Sequence, residues 1–307
     1  DALNYPHWFI SDPLYPQQWH YYEPVGGVNA PAAWDLFAVG STIVAVLDTG
    51  ALFTHPDLIG RYIPGYDMIE EPVIANDGDG RDPDASDPGD WVTAAESGDP
   101  NSILFTCQVE NSSWHGTHVA GTIGASTNGV GGVGVNWLSY ILPVRVLGKC
   151  GGYISDIADG IRWAAGLPVP GAPQNFSKAR VINMSLGGGG SCGATYQNAI
   201  DAAVAQGTAV VVSAGNSNVD ASSARPANCN NVITVAANDR TGNRAYYSNY
   251  GPLVEIAAPG GDMRGNASNG VLSTLNTGTT VPQAPTYAFY QGTSMAAPHV
   301  SGVASLL

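Results

Sequence analysis

Short, unbroken apolar runs recur along this chain, and they alternate with segments of helical period. Residues 41–48 read Ser-Thr-Ile-Val-Ala-Val-Leu-Asp, a β-branched run that predicts a central parallel strand buried on both faces and ending in the carboxylate of Asp48. Residues 140–147, 180–186, 208–213, 232–236 and 253–257 predict further strands of the same kind. Between them, residues 155–165 predict a helix capped by Ser155 and closed by Gly166, and residues 195–206 one stopped by Gly207. Strands alternating with helices form βαβ units, so the predicted fold class is α/β, a mostly parallel central sheet with helices on both faces. In such sheets ligands bind where strands end and helices begin.

Composition narrows the picture. With 307 residues and 44% apolar content the chain can bury a sizeable core, and a single domain over residues 1–307 is expected. Twenty-five acidic side chains against 11 Lys plus Arg give a formal charge of −14, which argues against nucleic acid or an anionic membrane as partner and favours solubility and cation binding. No apolar stretch approaches the length needed to span a bilayer.

Three short segments carry candidate chemistry. Gly292-Thr293-Ser294-Met295-Ala296-Ala297-Pro298-His299 places a hydroxyl at the mouth of a small-residue helix, where unpaired N–H groups point outward. A serine there is a poor nucleophile until a base and an orienting group reach it. His115 and His118, in His115-Gly116-Thr117-His118-Val119-Ala120-Gly121-Thr122, lie near one face at the start of a helix, and Asp48 ends a strand. Singly, these are a cap, a packed histidine and a turn residue. Together, in the order Asp48-Thr49-Gly50, His115-Gly116-Thr117-His118 and Gly292-Thr293-Ser294, they resemble the three signatures of the subtilisin-like serine peptidases. The chain order Asp, His, Ser is subtilisin's own.

The resemblance runs from about residue 12 to residue 307, through Asn183-Met184-Ser185-Leu186-Gly187 and Ala214-Gly215-Asn216. It implies a subtilisin-like fold and a secreted endopeptidase acting on proteins or peptides, with Ser294 as nucleophile, His115 as base and then acid, Asp48 as its orienter, and Asn216 as oxyanion donor. His118 matches the family's second, non-catalytic histidine. Ser185, Leu186 and Gly187 resemble one substrate rail and residues 148–152, with Gly148, Gly151 and Gly152, the other. Ala214, Gly215 and Ala224, with Arg225 near floor or rim, are expected to bound a neutral pocket for large apolar or aromatic side chains. A specific processing protease, or a catalytically silent calcium-binding protein on the same scaffold, is the alternative. The resemblance also implies a monomer made with a signal sequence and an inhibitory propeptide. It leads us to expect that the last helices of the family's domain are missing beyond residue 307.

Residues 76–90 hold six aspartates, with Asp77, Asp79, Asp82, Asp84 and Asp87 separated by Gly, Pro and small residues. Such a cage of hard oxygens suits calcium, although no Glu completes an EF-hand. A second calcium site is implied by resemblance at Asp12, Asp57 and the loop with Ser126, Asn128, Val130 and Gly132, and Asp67 is expected at one of the two sites. Cys107, Cys150, Cys192 and Cys229 allow three pairings. Resemblance to secreted members favours Cys107 with Cys150 and Cys192 with Cys229, and an oxidising compartment.

Overall fold

The computed structural model describes residues 10–36 and 40–307; residues 1–9 and 37–39 of the expected domain lie outside the described residues. Its strands are β1 (Ile43–Asp48), β2 (Tyr66–Asp67), β3 (Tyr140–Arg145), β4 (Val181–Met184), β5 (Gly188–Gly189), β6 (Ala209–Ser213), β7 (Ala224–Arg225), β8 (Ile233–Asn238), β9 (Ile256–Pro259), β10 (Val271–Asn276) and β11 (Pro285–Tyr290). The α-helices are α1 (Trp19–Tyr22), α2 (Ala30–Leu36), α3 (Pro72–Ala75), α4 (Ala94–Gly98), α5 (His115–Gly124), α6 (Ile154–Ala164), α7 (Gly193–Ala205) and α8 (Thr293–Leu306). Seven strands form one sheet in the order β2-β3-β1-β4-β6-β8-β9, and every pair in it is parallel.

The unbroken apolar runs have a direct cause. Ala45 and Leu47 of β1 pack into the core beneath α6 and α7, whereas Val44 and Val46 face the opposite core beneath α5 and α8. With both faces covered, neither parity of the strand has use for a polar side chain. The register sets Asp48 opposite Arg145 at the carboxyl ends of β1 and β3. Both disulfides implied by resemblance form, Cys107–Cys150 and Cys192–Cys229.

Some expectations move. The helix expected from Ser155 starts at Ile154 after an extended Tyr153 that makes no side-chain cap, so Ser155 lies inside its first turn. The last sheet strand spans Ile256–Pro259 where residues 253–257 were expected, because Val254 N–H turns back onto Gly251 O and the chain reaches β8 only from Glu255, whose N–H donates to Thr234 O. The antiparallel hairpin β10–β11, packed on α5, was not foreseen. Neither were α1 and α2, whose Tyr21 and Trp34 join Val133, Val135 and Trp137 in a separate apolar cluster.

Candidate active site

Asp48 is fully buried where β1 ends. Its Oδ1 accepts the Thr49 N–H at 2.8 Å and lies 2.8 Å from His115 Nδ1, with Oδ2 at 3.0 Å. Having Asp48 on Nδ1 leaves Nε2 as the nitrogen available for proton transfer. Burial alone pushes the His115 imidazole down, but the facing Asp48 carboxylate, with Asp90 and Asp87 further off, outweighs it and raises the group above its usual value. His118, one turn on, is stacked on Tyr290 and bonded through Nε2 to Ala288 O at 2.9 Å; burial holds it down at about 3, so it is a neutral packing residue.

Ser294 lies in the first turn of α8, after Gly292 at φ 154°, a conformation open to glycine. Its Oγ donates to Ser185 O at 3.2 Å, and Ser185 Oγ donates to Ser294 O at 2.7 Å, which ties β4's end to α8. Asn216 is fixed from the same helix: its Oδ1 accepts both the Thr293 N–H at 2.9 Å and the Thr293 hydroxyl at 2.8 Å. The amide's acceptor is thereby spent and its NH₂ faces outward beside Gly292.

A cleft of about 730 Å³ runs past Ser294, Ser185 and Asn216, lined among others by Gly151, Gly152, Leu186, Gly187, Ala214, Gly215 and Ala224; Asp48 and His115 are not among its lining residues. Among the described residues that line it, Arg225 is the one with a formal charge and none is a carboxylate. Gly148 is not among the lining residues. Its N–H and carbonyl are used in a two-way bridge with Gly151, and a Cβ there would meet Ile74 O at 2.0 Å, so this glycine serves close packing on α3. Asn249, which nothing in its local sequence singles out, holds the cleft wall: Nδ2 donates to Ala214 O, and Oδ1 accepts from Ser217 N and Val219 N.

The two groups of expected calcium ligands differ. Around the acidic loop, Asp67 of β2 and Asp77 both pair with the buried Arg145, and Arg81 reaches Glu70, Asp156 and Asp159. The side chains of Asp77, Asp82 and Asp84 accept N–H groups two residues on, Asp79 is exposed, and Asp87 accepts the Thr49 hydroxyl. These carboxylates are met by guanidinium groups and turns, and among the described residues no three His, Cys, Asp or Glu side chains converge as a metal cluster. Asp12 and Asp57 are otherwise placed. Both are buried, no cation pairs with either among the described residues, and burial, with the Asp12 charge adding to it, pushes Asp57 up to about 6. Asp12 accepts from Thr127 and from the N–H groups of Asn128 and Gly129; Asp57 lies 3.3 Å from Asn128 Nδ2 and accepts Gly132 N–H, and its carbonyl accepts Ser126 N–H. Val130 N–H donates to Asn128 Oδ1 in the same loop.

Comparison with known proteins identifies the family. The model of the Subtilase family matches residues 40–307. The chain is 49% identical over 298 residues to an extracellular protease of Xanthomonas campestris pv. campestris and 47% identical over 312 residues to an extracellular basic protease of Dichelobacter nodosus, covering 97% and 100% of this chain. It spans about half the length of these two relatives, 49% of each. A solved protease structure from Pseudoalteromonas arctica superposes with a TM-score of 0.91 at 55% identity, over 96% of this chain and 86% of that one. No helix among the described residues is long and apolar enough to cross a membrane. On the family match and on these relatives, the chain belongs to the subtilase family.

Proposed function

We propose that the protein is a secreted serine endopeptidase that cleaves peptide bonds through an acyl-enzyme. The observation that carries this reading is the Asp48–His115 pair at 2.8 Å at the same sheet edge as Ser294 and Asn216. Ser294 Oγ leaves the Ser185 carbonyl, gives its proton to His115 Nε2 and attacks the scissile carbonyl; the resulting imidazolium is held by Asp48 and then protonates the leaving amine. The oxyanion is met by the Asn216 NH₂ and the Ser294 N–H at the helix mouth. Extended substrate lies along Ser185 to Gly187 and Gly151 to Gly152 as an added strand, with a large apolar or aromatic residue in the neutral part of the cleft. Arg225 opposes a basic residue there. A fluorophosphonate should label Ser294, and peptides with Phe, Tyr or Leu before the scissile bond should turn over faster than those with Lys or Arg. No labelling would leave the silent scaffold as the better reading, and strict cleavage after Lys or Arg would overturn the account of the pocket.

Asp12, Asp57 and Asn128 fit a structural calcium ion, with backbone carbonyls of Ser126, Val130 and Gly132 completing the shell. Two buried carboxylates without a counter-cation and a donor set made of oxygen are what a hard, flexible shell requires. Such an ion stabilises the fold by mass action and takes no part in the chemistry. Excess EDTA should lower the melting temperature, and Asp57→Asn should remove most of that difference; identical melting curves with and without EDTA would end the proposal. The names of the relatives, an extracellular protease and an extracellular basic protease, support secretion.

A further inference from the structure

The helix that begins at His115 has no side-chain cap on its N-cap residue, because that position is Trp114, held at φ 50° in the left-handed region. Its first two N–H groups are nevertheless satisfied. His115 N–H donates to Ser113 Oγ at 3.3 Å and Gly116 N–H to Thr49 Oγ1 at 3.0 Å. Each hydroxyl then donates its own proton to a carboxylate: Ser113 Oγ to Asp90 Oδ2 at 2.6 Å, and Thr49 Oγ1 to Asp87 Oδ2 at 2.7 Å. Asp90 Oδ1 also takes the Ser113 N–H at 2.6 Å, while Tyr290 OH grips Ser113 O at 2.8 Å and Trp114 Nε1 bonds to Gly278 O at 2.7 Å. A bulky residue at positive φ is costly and persists only where its surroundings fix it. Here the turn before His115 is fixed from three sides.

We propose, resting on the peptidase reading, that Asp90 and Asp87 are positioning residues of the catalytic histidine: both clamp the turn that aims His115, through Ser113 and Thr49, and Asp90 also supplies negative charge that the imidazolium needs at a helix N-terminus. The helix dipole there is positive and disfavours a cation. Asp48 supplies the contact charge, and the two hydroxyl-linked carboxylates lie behind it on the helix mouth. The other titratable or charged groups facing this region are His118, one turn along α5, Tyr290 on β11, Tyr62, Glu110 in the bridge to Val92, and Arg145 on β3, whose Nε donates to Thr49 O at 3.1 Å. Burial keeps His118 neutral at neutral pH, burial together with Asp90 pushes Tyr290 up to about 12, and burial pushes Asp87 up to about 7. His118 and Tyr290 add no charge near neutrality, and the Arg145 guanidinium, committed to Asp67 and Asp77, is the same in the wild type and every variant below. Asp90 and Asp87 belong to the aspartate-rich loop, so part of that loop's acidity is explained by the histidine it faces.

The deciding experiment is the pH dependence of kcat/KM for the wild type, Asp90→Asn and Ser113→Ala, with Asp87→Asn as a fourth variant. Asp90→Asn keeps the shape, and Asp90 is half-buried, so the fold should survive. Without the charge the imidazolium is less favoured: the acid limb should move to lower pH by about half a unit or more, and the plateau should fall because the same charge supports the transition state. Ser113→Ala leaves the carboxylate in place and loosens the turn, so its plateau should fall with the acid limb unmoved. An acid limb in Asp90→Asn that coincides with the wild type would overturn the proposal even if the melting temperature changed. Fluorophosphonate labelling of wild-type Ser294 separates that failure from failure of the peptidase reading, which would show as an unlabelled wild type.

Discussion

At the scale of single residues, the geometry is set by which half of each polar group is already used. Asn216 shows this most clearly. Two donors from Thr293 occupy Oδ1, so the amide cannot flip without leaving both unpaired, and its NH₂ is presented to the cleft as a fixed donor. A donor held in advance stabilises developing charge without reorganising. Asn216→Ala should therefore lower kcat about 10²- to 10³-fold, the loss known for the corresponding asparagine of subtilisin, with KM little changed. Steady-state kinetics on a peptide substrate checks this, and a variant whose KM rises while kcat holds would assign Asn216 to ground-state binding instead. Ser294 offers the complementary case. Its hydroxyl rests on Ser185 O, an acceptor of no use as a base, so the proposed mechanism requires it to turn to His115.

At the scale of elements, the hairpin β10–β11 is the part that aims the histidine helix. Ser273 Oγ donates to His118 O and Thr274 Oγ1 to Thr117 O, each at 2.7 Å, and both lie against Gly121 of α5. A Cβ on Gly121 would sit 2.1 Å from Thr274 Oγ1 and 2.4 Å from Ser273 Oγ, so Gly121→Ala must displace both hydroxyls. Overpacking of this kind costs about 1–3 kcal/mol, to which two lost hydrogen bonds add. Thermal melting should show the loss, and activity should fall with it because the helix bearing His115 shifts; an unchanged melting temperature would mean that the hairpin yields without resistance. None of this was legible in the sequence. Runs such as residues 41–48 announce a strand buried on both faces, and the motifs around Asp48, His115 and Ser294 locate the site, since both depend on neighbours in the chain. The hairpin's role depends on residues 155 positions apart meeting, as Ser273 meets His118, and no local pattern encodes that. Arg145 is a similar case: only the strand register reveals that it faces Asp48 and neutralises Asp67 and Asp77, which the sequence offered to calcium.

At the scale of the whole molecule, three histidines lie at the interfaces between layers and carry no charge. His20 of α1 and His299 of α8 are joined Nδ1 to Nε2 at 2.7 Å; because His299 Nδ1 donates to Met295 O at 2.8 Å, its Nε2 is the acceptor and His20 the donor. That bond holds only while His299 is neutral, since a proton on its Nε2 removes the acceptor. Burial lowers His299 to about 4 and His118 to about 3, and burial with the facing His299 holds His20 well below its usual value. The unfolded chain takes up protons at these groups near pH 6.5, which the folded protein refuses until far lower pH, so the histidine contribution to stability is present above that value and is lost as pH falls toward 4. The sign is opposite for Asp67 and Asp87, which burial pushes up to about 7 and which favour the folded state as pH falls. Wild-type stability therefore reports a difference between two opposed sets, and a single melting curve against pH does not isolate either. Replacing one histidine does. His299→Gln removes one group of on the order of 3 kcal/mol in linkage, keeps a polar side chain on α8, and should be less stable than the wild type at pH 7.5 because the His20 bond is lost. Between pH 6.5 and 4 that gap should close, since the variant no longer has this imidazole to protonate on unfolding, and melting temperatures measured in parallel across the range should converge or cross. Parallel curves would show that His299 takes up its proton as readily in the folded protein as in the unfolded chain, and the layer between α1 and α8 would then have to be open to water.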